Sequence, residues 1–245
     1  MTELQMLVIA GAFIVAGIAK GAIGIGLPPI AIGLMTLALP LGDALAIMTI
    51  PTLMTNVFQA FSGGHFVPLL RRFGTMAAAA MAGVIGVAVS LDKLGTAGMT
   101  GWLGLMLVLY ASLALFAWRP VMPRAGERWA NPLIGLASGA VAGLTGMAAV
   151  PFLPYMQSLQ ISRNDLVQGL GIVFLFIMGA LAVALVHQNV FNTANSIGGV
   201  AALAPTFLGV WIGQKLRHAA SPETFRKIFL AGMLALGLHM ARGLL

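Results

Sequence analysis

Lys20, Gly24, Gly26, Pro28 and Pro29 fall together in "KGAIGIGLPP", and Thr145, Gly146 and Pro151 in "GLTGMAAVP", two clusters that interrupt otherwise apolar stretches. A helix that begins inside a membrane exposes unpaired backbone N–H groups and the positive end of its dipole where no water competes. Such an end attracts anions. Pro28, Pro29 and Pro151 suit a first helical turn, whose N–H groups lack intrahelical partners. The glycines before them admit close approach of the backbone and positive φ. The chemistry expected is therefore anion binding, with two helix starts facing each other across a pseudo-two-fold axis near the bilayer midplane.

Other polar residues fit the same chemistry and each has a plainer reading beside it. Lys20 either neutralises an anion or snorkels to the cytoplasmic interface as a topology signal. Asn56 and Gln59 lie one turn apart in an apolar segment and offer amide donors to ligand oxygens, and Thr145 and Gln168 are further candidates in the second half. Amides and hydroxyls of this kind also serve as glue between helices. Gly17 with Gly21, and Gly139 with Gly143, have the spacing that lets helices pack closely. His65 and His187 read as helix-end caps or as proton carriers, and Arg71 and Arg72 as a topology signal. Asp43, Asp165 and the other carboxylates lie near segment ends, so no acidic relay through the membrane is visible.

The elements that position these residues come in two copies. Gly17, Gly21, Gly24 and Pro29 recur as Gly139, Gly143, Gly146 and Pro151, and Asp43, His65 and Lys93 as Asp165, His187 and Lys215, every pair 122 positions apart. With only 6 Asp and Glu and 4 His in 245 residues, the charged matches are hard to produce by composition alone. The apolar segments expected in the first half are 4–20, 28–40, 44–62, 73–91 and 97–118, and in the second 132–143, 150–161, 166–186, 196–214 and 224–241. A full crossing takes about 20 residues, so the short segments after each break read as half-helices or arms of re-entrant hairpins. Ser162 with Asp165 reads as a capping box for the segment beyond, and Asp43 as its counterpart.

Composition sets the class. Hydrophobic residues make up 60% of the chain and charged residues 8%, far from the soluble range, so the protein belongs in lipid. Residues 1–245 are read as a single transmembrane domain, 1–122 the first repeat and 123–245 the second. The formal charge of +7 sits at segment ends, where it sets orientation and does not indicate nucleic acid. With no cysteine, thiolate chemistry and disulfides are excluded. No HExxH, paired membrane-depth aspartates or serine–histidine arrangement is present, so neither catalytic residues nor a metal or other cofactor is expected. The N-terminal stretch has no basic n-region and is expected to be retained.

Five segments per half is odd, which makes the second copy point the opposite way. That arrangement puts Lys20, Arg71, Arg72, Arg119, Arg124, Arg128, Arg163, Lys215, Arg217, Arg226 and Lys227 on one side and only Lys93 and Arg242 on the other. Fusing each short segment with its predecessor splits the charges evenly. The positive-inside rule favours the former, with both termini outside the cytoplasm. The fold expected is an all-α integral membrane protein of two inverted-topology repeats, each of about five helical segments. Its broken or re-entrant helices lie between Gly21 and Pro29 and between Gly143 and Pro151.

"KGAIGIGLPPI", "NVFQA", "GLTGMAAVPFL" and "SRNDLVQGLG" together resemble the TauE/SafE-type sulfite exporter family, also called the 4-toluene sulfonate uptake permease family. The resemblance implies a carrier of the bacterial cytoplasmic membrane for sulfite, organosulfonates, related sulfur compounds or carboxylates. Leu27, Pro28 and Pro29 after Gly26, and Ala148 and Ala149 in the second half, depart from the fuller glycine cluster of that family. The expected function is a secondary transporter working by alternating access, with a passive anion channel or a carrier of small carboxylates as alternatives. The partners expected are a small anionic substrate and the lipid bilayer; a coupling proton or other ion and a second copy of the chain stay open.

Overall fold

The computed structural model describes residues 2–23, 26–91, 94–115, 121–219 and 222–244. Gly24, Lys93 and Arg119, singled out above, lie outside the described residues. The described chain is helical, with no strand among the described residues: α1 (Glu3–Ile23), α2 (Leu27–Met35), α3 (Leu41–Phe61), α4 (Phe66–Ser90), α5 (Ala97–Leu115), α6 (Glu127–Thr145), α7 (Ala149–Ser158), α8 (Arg163–His187), α9 (Thr193–Ala201), α10 (Leu203–Ala219) and α11 (Pro222–Ala241). Among the described residues, six stretches are long and apolar enough to cross a membrane: Glu3–Ala22, Leu41–Phe61, Phe66–Ser90, Gly98–Leu115, Arg163–His187 and Thr193–Leu216. This is an all-α membrane protein.

The helix ends follow local chemistry. α1 has Glu3 in its first turn and Lys20 in its last, each opposite in sign to the helix dipole at that end. α8 opens on Ser162, whose Oγ accepts from Asp165 N at 3.1 Å and donates to Asp165 Oδ2 at 2.8 Å. α9 opens on a reciprocal capping box between Asn192 and Asn195. Both short helices appear as expected, α2 and α7 having 9 and 10 residues.

Three boundaries differ from the sequence reading. The segment expected at 196–214 is two helices, α9 and α10, parted at Ala202. Pro205 has no N–H for the carbonyl of Ala201, and the chain turns there before Thr206 N and Oγ1 resume bonding to Ala202 O at 3.0 and 2.6 Å. α4 begins at Phe66, seven residues ahead of the expected start, because Arg72 is neutralised inside the helix by Glu127. α6 begins at Glu127, carrying Pro132 within it.

The described helices gather into two compact units. One holds α1, α2, α3 as far as Thr52, α5, α9, α10 and α11; the other holds α3 from Leu53, α4, α6, α7 and α8. Each unit thus draws helices from both halves of the sequence.

In the first unit α1 lies against α10 through small residues. A Cβ on Gly17 would stand 3.0 Å from Gly209 Cα, and one on Gly21 2.9 Å from the carbonyl carbon of Val210. Phe13, Leu27, Ile32, Met35, Leu45 and Ile47 fill its core. Asn195 Nδ2 reaches Asp43 Oδ1 at 3.3 Å, tying α9 to the first turn of α3.

In the second unit α4 lies against α6 in the same manner. A Cβ on Gly139 would overlap the backbone of Ala80, and one on Gly143 would meet Val87 Cβ at 3.0 Å. Backbones this close gain dispersion and need no large side chain between them. Phe152 of α7 sets its ring edge-on to Phe174 of α8, with centroids 4.9 Å apart.

Candidate functional site

The first break separates α1 from α2. Gly26 caps α2 at φ 105°, ψ −2°, a left-handed conformation that costs a residue with a Cβ about 1–2 kcal/mol. Leu27, Pro28 and Pro29 form the first turn, and Ile30 N already bonds Gly26 O at 3.3 Å. The two prolines therefore leave Leu27 as the one residue of that turn with an N–H to present. Leu27 and Pro29 are buried. Lys20, in the last turn of α1, is half-buried.

The second break separates α6 from α7. Gly146 is left-handed at φ 73° and its N–H bonds Ala142 O at 2.7 Å. Thr145 Oγ1 donates to Val141 O at 2.7 Å and accepts from Met147 N at 3.2 Å, so this hydroxyl shapes the turn itself. Val150 is extended at φ −117°, ψ 132°, which makes Pro151 the first residue of the regular helix; the Val150–Pro151 peptide is cis. Phe152 and Leu153 then carry the N–H groups of the first turn. Met147, Ala148 and Val150 are buried.

Gln59 and Gln168 come together in the second unit, where α3 ends and α8 begins. Gln59 Nε2 donates to Val167 O at 2.7 Å. Gln168 Nε2 donates to Ala60 O at 2.7 Å, and its Oε1 accepts from His65 N at 3.0 Å. Asn56 is 1% exposed, one turn before Gln59. Thr49, Thr52 and Thr55 are also buried, and with Asn56 and Gln59 they form one polar stripe along α3. The spacing of three and four residues that defines this stripe is visible in the sequence, although only its two amides were singled out there.

His65 sits at the start of α4, its Nδ1 2.7 Å from Asp165 Oδ1. Arg72 is more than a topology signal: its Nε and Nη2 grip both oxygens of Glu127 at 2.8 and 2.6 Å. Asn131 Nδ2 donates to Arg72 O at 3.0 Å and its Oδ1 accepts from Tyr155 Oη at 2.6 Å. Asn131, Ser138 and Thr145 recur every seven residues along α6, so they share a face, and the bonds of Asn131 and Thr145 direct that face toward α7 and the turn before it. Ser138 is 0% exposed, and its Oγ has no hydrogen-bond partner among the described residues. A seven-residue polar period in an apolar helix was the signal for this face.

The architecture is thus a membrane protein with two helices broken at left-handed glycines, each continuing as a short helix opened by proline. The protein family described as Sulfite exporter TauE/SafE matches residues 9–240. The chain belongs to the TauE/SafE family. It is accordingly a transporter rather than an enzyme, a multi-pass protein of the bacterial cytoplasmic membrane. No curated protein and no solved structure matches the chain.

Proposed function

We propose that this TauE/SafE protein is a secondary transporter that moves a small anion, namely sulfite, an organosulfonate or a related sulfur oxyanion, by alternating access. The observation that carries the reading is the pair of buried helix starts that follow Gly26 and Gly146. Each presents the positive end of a helix dipole within an apolar, membrane-embedded chain, where a negative charge gains most. In this proposal the first unit offers an anion the ammonium of Lys20 and the backbone N–H of Leu27, and the second unit offers the backbone N–H groups of Phe152 and Leu153 and the amide of Asn56. Gln59, Thr145 and Gln168 already hold backbone groups; they contribute to the anion by exchanging those partners.

Glycine packing supports the duplication behind the mechanism. Gly17 and Gly21 of α1 seat against α10, while their equivalents Gly139 and Gly143 of α6 seat against α4, and 122 positions separate the matching segments. With α9 and α10 counted as the single span Thr193–Leu216, each half has five segments, and in this proposal that odd number orients the second copy oppositely, the arrangement that suits a carrier opening alternately to either side.

Counterflow in proteoliposomes tests the function. Unlabelled sulfite on the far side should accelerate uptake of labelled sulfite. Uptake indifferent to far-side sulfite would indicate a channel instead, and acetate that displaces labelled sulfite at lower concentration than sulfite itself would indicate a carboxylate carrier.

A further inference from the structure

We propose that Arg72, Glu127, Asn131 and Tyr155 form a positioning latch that fixes α7 against α6, and so sets the place of the helix start at Pro151. The proposal rests on the reading of that start as an anion ligand, though the latch itself is tested without any anion.

The need for a latch follows from the size of α7. From Pro151 to Ser158 the regular helix is about 12 Å long at 1.5 Å per residue, too short to hold itself in place by its own hydrogen bonds. Tyr155 lies one turn past Pro151, so a displacement of Tyr155 displaces the helix start. Its hydroxyl donates to Asn131 Oδ1 at 2.6 Å, and both residues are buried.

Asn131 is in turn unable to flip its amide without losing its bond to α4, although the tyrosine hydroxyl could turn to accept from the NH2. Its Nδ2 holds the carbonyl of Arg72 at 3.0 Å, so a flipped amide would face that carbonyl with oxygen and the tyrosine hydroxyl with NH2. Arg72 is immobilised by its two-pronged bond to Glu127, the first residue of α6, which is 6% exposed. A planar guanidinium matched to a carboxylate fixes direction as well as distance. The chain therefore runs without a gap from the first turns of α4 and α6 to α7.

The duplication does not account for this arrangement. The first-half positions equivalent to Glu127, Asn131 and Tyr155 are Gln5, Ile9 and Gly33, none of which can reproduce it. The latch belongs to the second half alone.

The absence of cysteine makes a direct test available. Leu153→Cys introduces one thiol on α7 at a position 4% exposed, and its rate of maleimide labelling reports how often α7 moves away. Tyr155→Phe in that background should speed labelling about fivefold, the Boltzmann weight of one net buried hydrogen bond. Asn131→Ala should do at least as much, and the double variant should label no faster than Asn131→Ala alone, because the two residues act through one bond. Unchanged labelling in both single variants overturns the latch, as does a double variant whose effect is the product of the two. Sulfite-induced stabilisation against heat is measured on the same proteins without the Cys substitution. Faster labelling with a weakened sulfite effect supports latch and anion site together. Faster labelling with an undiminished sulfite effect supports the latch and counts against Pro151 as an anion-facing start.

Discussion

Gln59 and Gln168 fasten α3 to α8 by a reciprocal exchange: Gln59 Nε2 bonds the carbonyl of Val167, and Gln168 Nε2 bonds the carbonyl of Ala60, each at 2.7 Å. Each side chain thus reaches the backbone beside the other. Gly171 permits the approach, since a Cβ there would lie 2.8 Å from Ala60 N and 2.9 Å from Gln59 Cγ. In a helix the carbonyl of one residue normally bonds the N–H four residues later, and near α3's end the carbonyl of Ala60 has no such continuation. The amide of Gln168 supplies the missing donor.

The two amides should therefore differ in their effect on stability. Gln168→Leu strips partners from two backbone groups, Ala60 O and His65 N, whereas Gln59→Leu removes only a second bond from Val167 O, a carbonyl inside α8 that keeps its helical partner. The expected losses are about 1–2 kcal/mol for Gln168→Leu and about 0.5–1 kcal/mol for Gln59→Leu. Thermal unfolding in detergent checks the order. Equal midpoints would mean that Gln168 does not hold both groups in solution.

Gly139 and Gly86 offer the sharpest contrast among the helical glycines. A Cβ on Gly139 would collide with the carbonyl of Ala80, backbone that cannot swing aside, while a Cβ on Gly86 meets nothing within 4 Å. Gly139→Ala should force α4 and α6 apart and cost roughly 3 kcal/mol or more, on the scale of severe overpacking. Gly86→Ala should stabilise α4 by about 0.5–1 kcal/mol through the lower entropy of its unfolded chain. Folded yield and unfolding midpoint measured on both variants decide the matter. A Gly139→Ala protein as stable as the parent would show that the α4–α6 spacing is looser than this geometry.

Hydrophobic runs and breakers located most helices. The breaks near Gly26 and Gly146 were legible because glycine and proline act locally, through φ and through a missing N–H, and local effects survive in a sequence. The start of α4 was not, since burying Arg72 inside a helix makes sense only once Glu127, fifty-five residues away, is seen to neutralise it. The division of α9 from α10 was marked by Pro205, yet a proline in an apolar run is compatible with either a kink or a break. For the candidate site, Asn56, Gln59 and Gln168 could be picked out as polar residues in apolar surroundings. What they bond, and how Asn131 and Tyr155 meet, depends on packing between distant segments that no spacing encodes.

Lys20 separates transport from architecture. It stands three residues before the end of α1, where a positive charge complements the helix dipole, a modest effect of about 0.3–1 kcal/mol. If the ammonium serves the anion, Lys20→Ala should lower sulfite transport about tenfold or more, the weight of one charge-assisted hydrogen bond, while insertion stays normal and the unfolding midpoint changes little. Lys20→Arg should keep much of the transport because it keeps the charge, with altered selectivity among oxyanions from its broader fork. Initial rates in proteoliposomes at matched protein incorporation provide the measurement. Transport by Lys20→Ala equal to the parent would remove Lys20 from the anion site and leave it a charge that orients α1 in the bilayer.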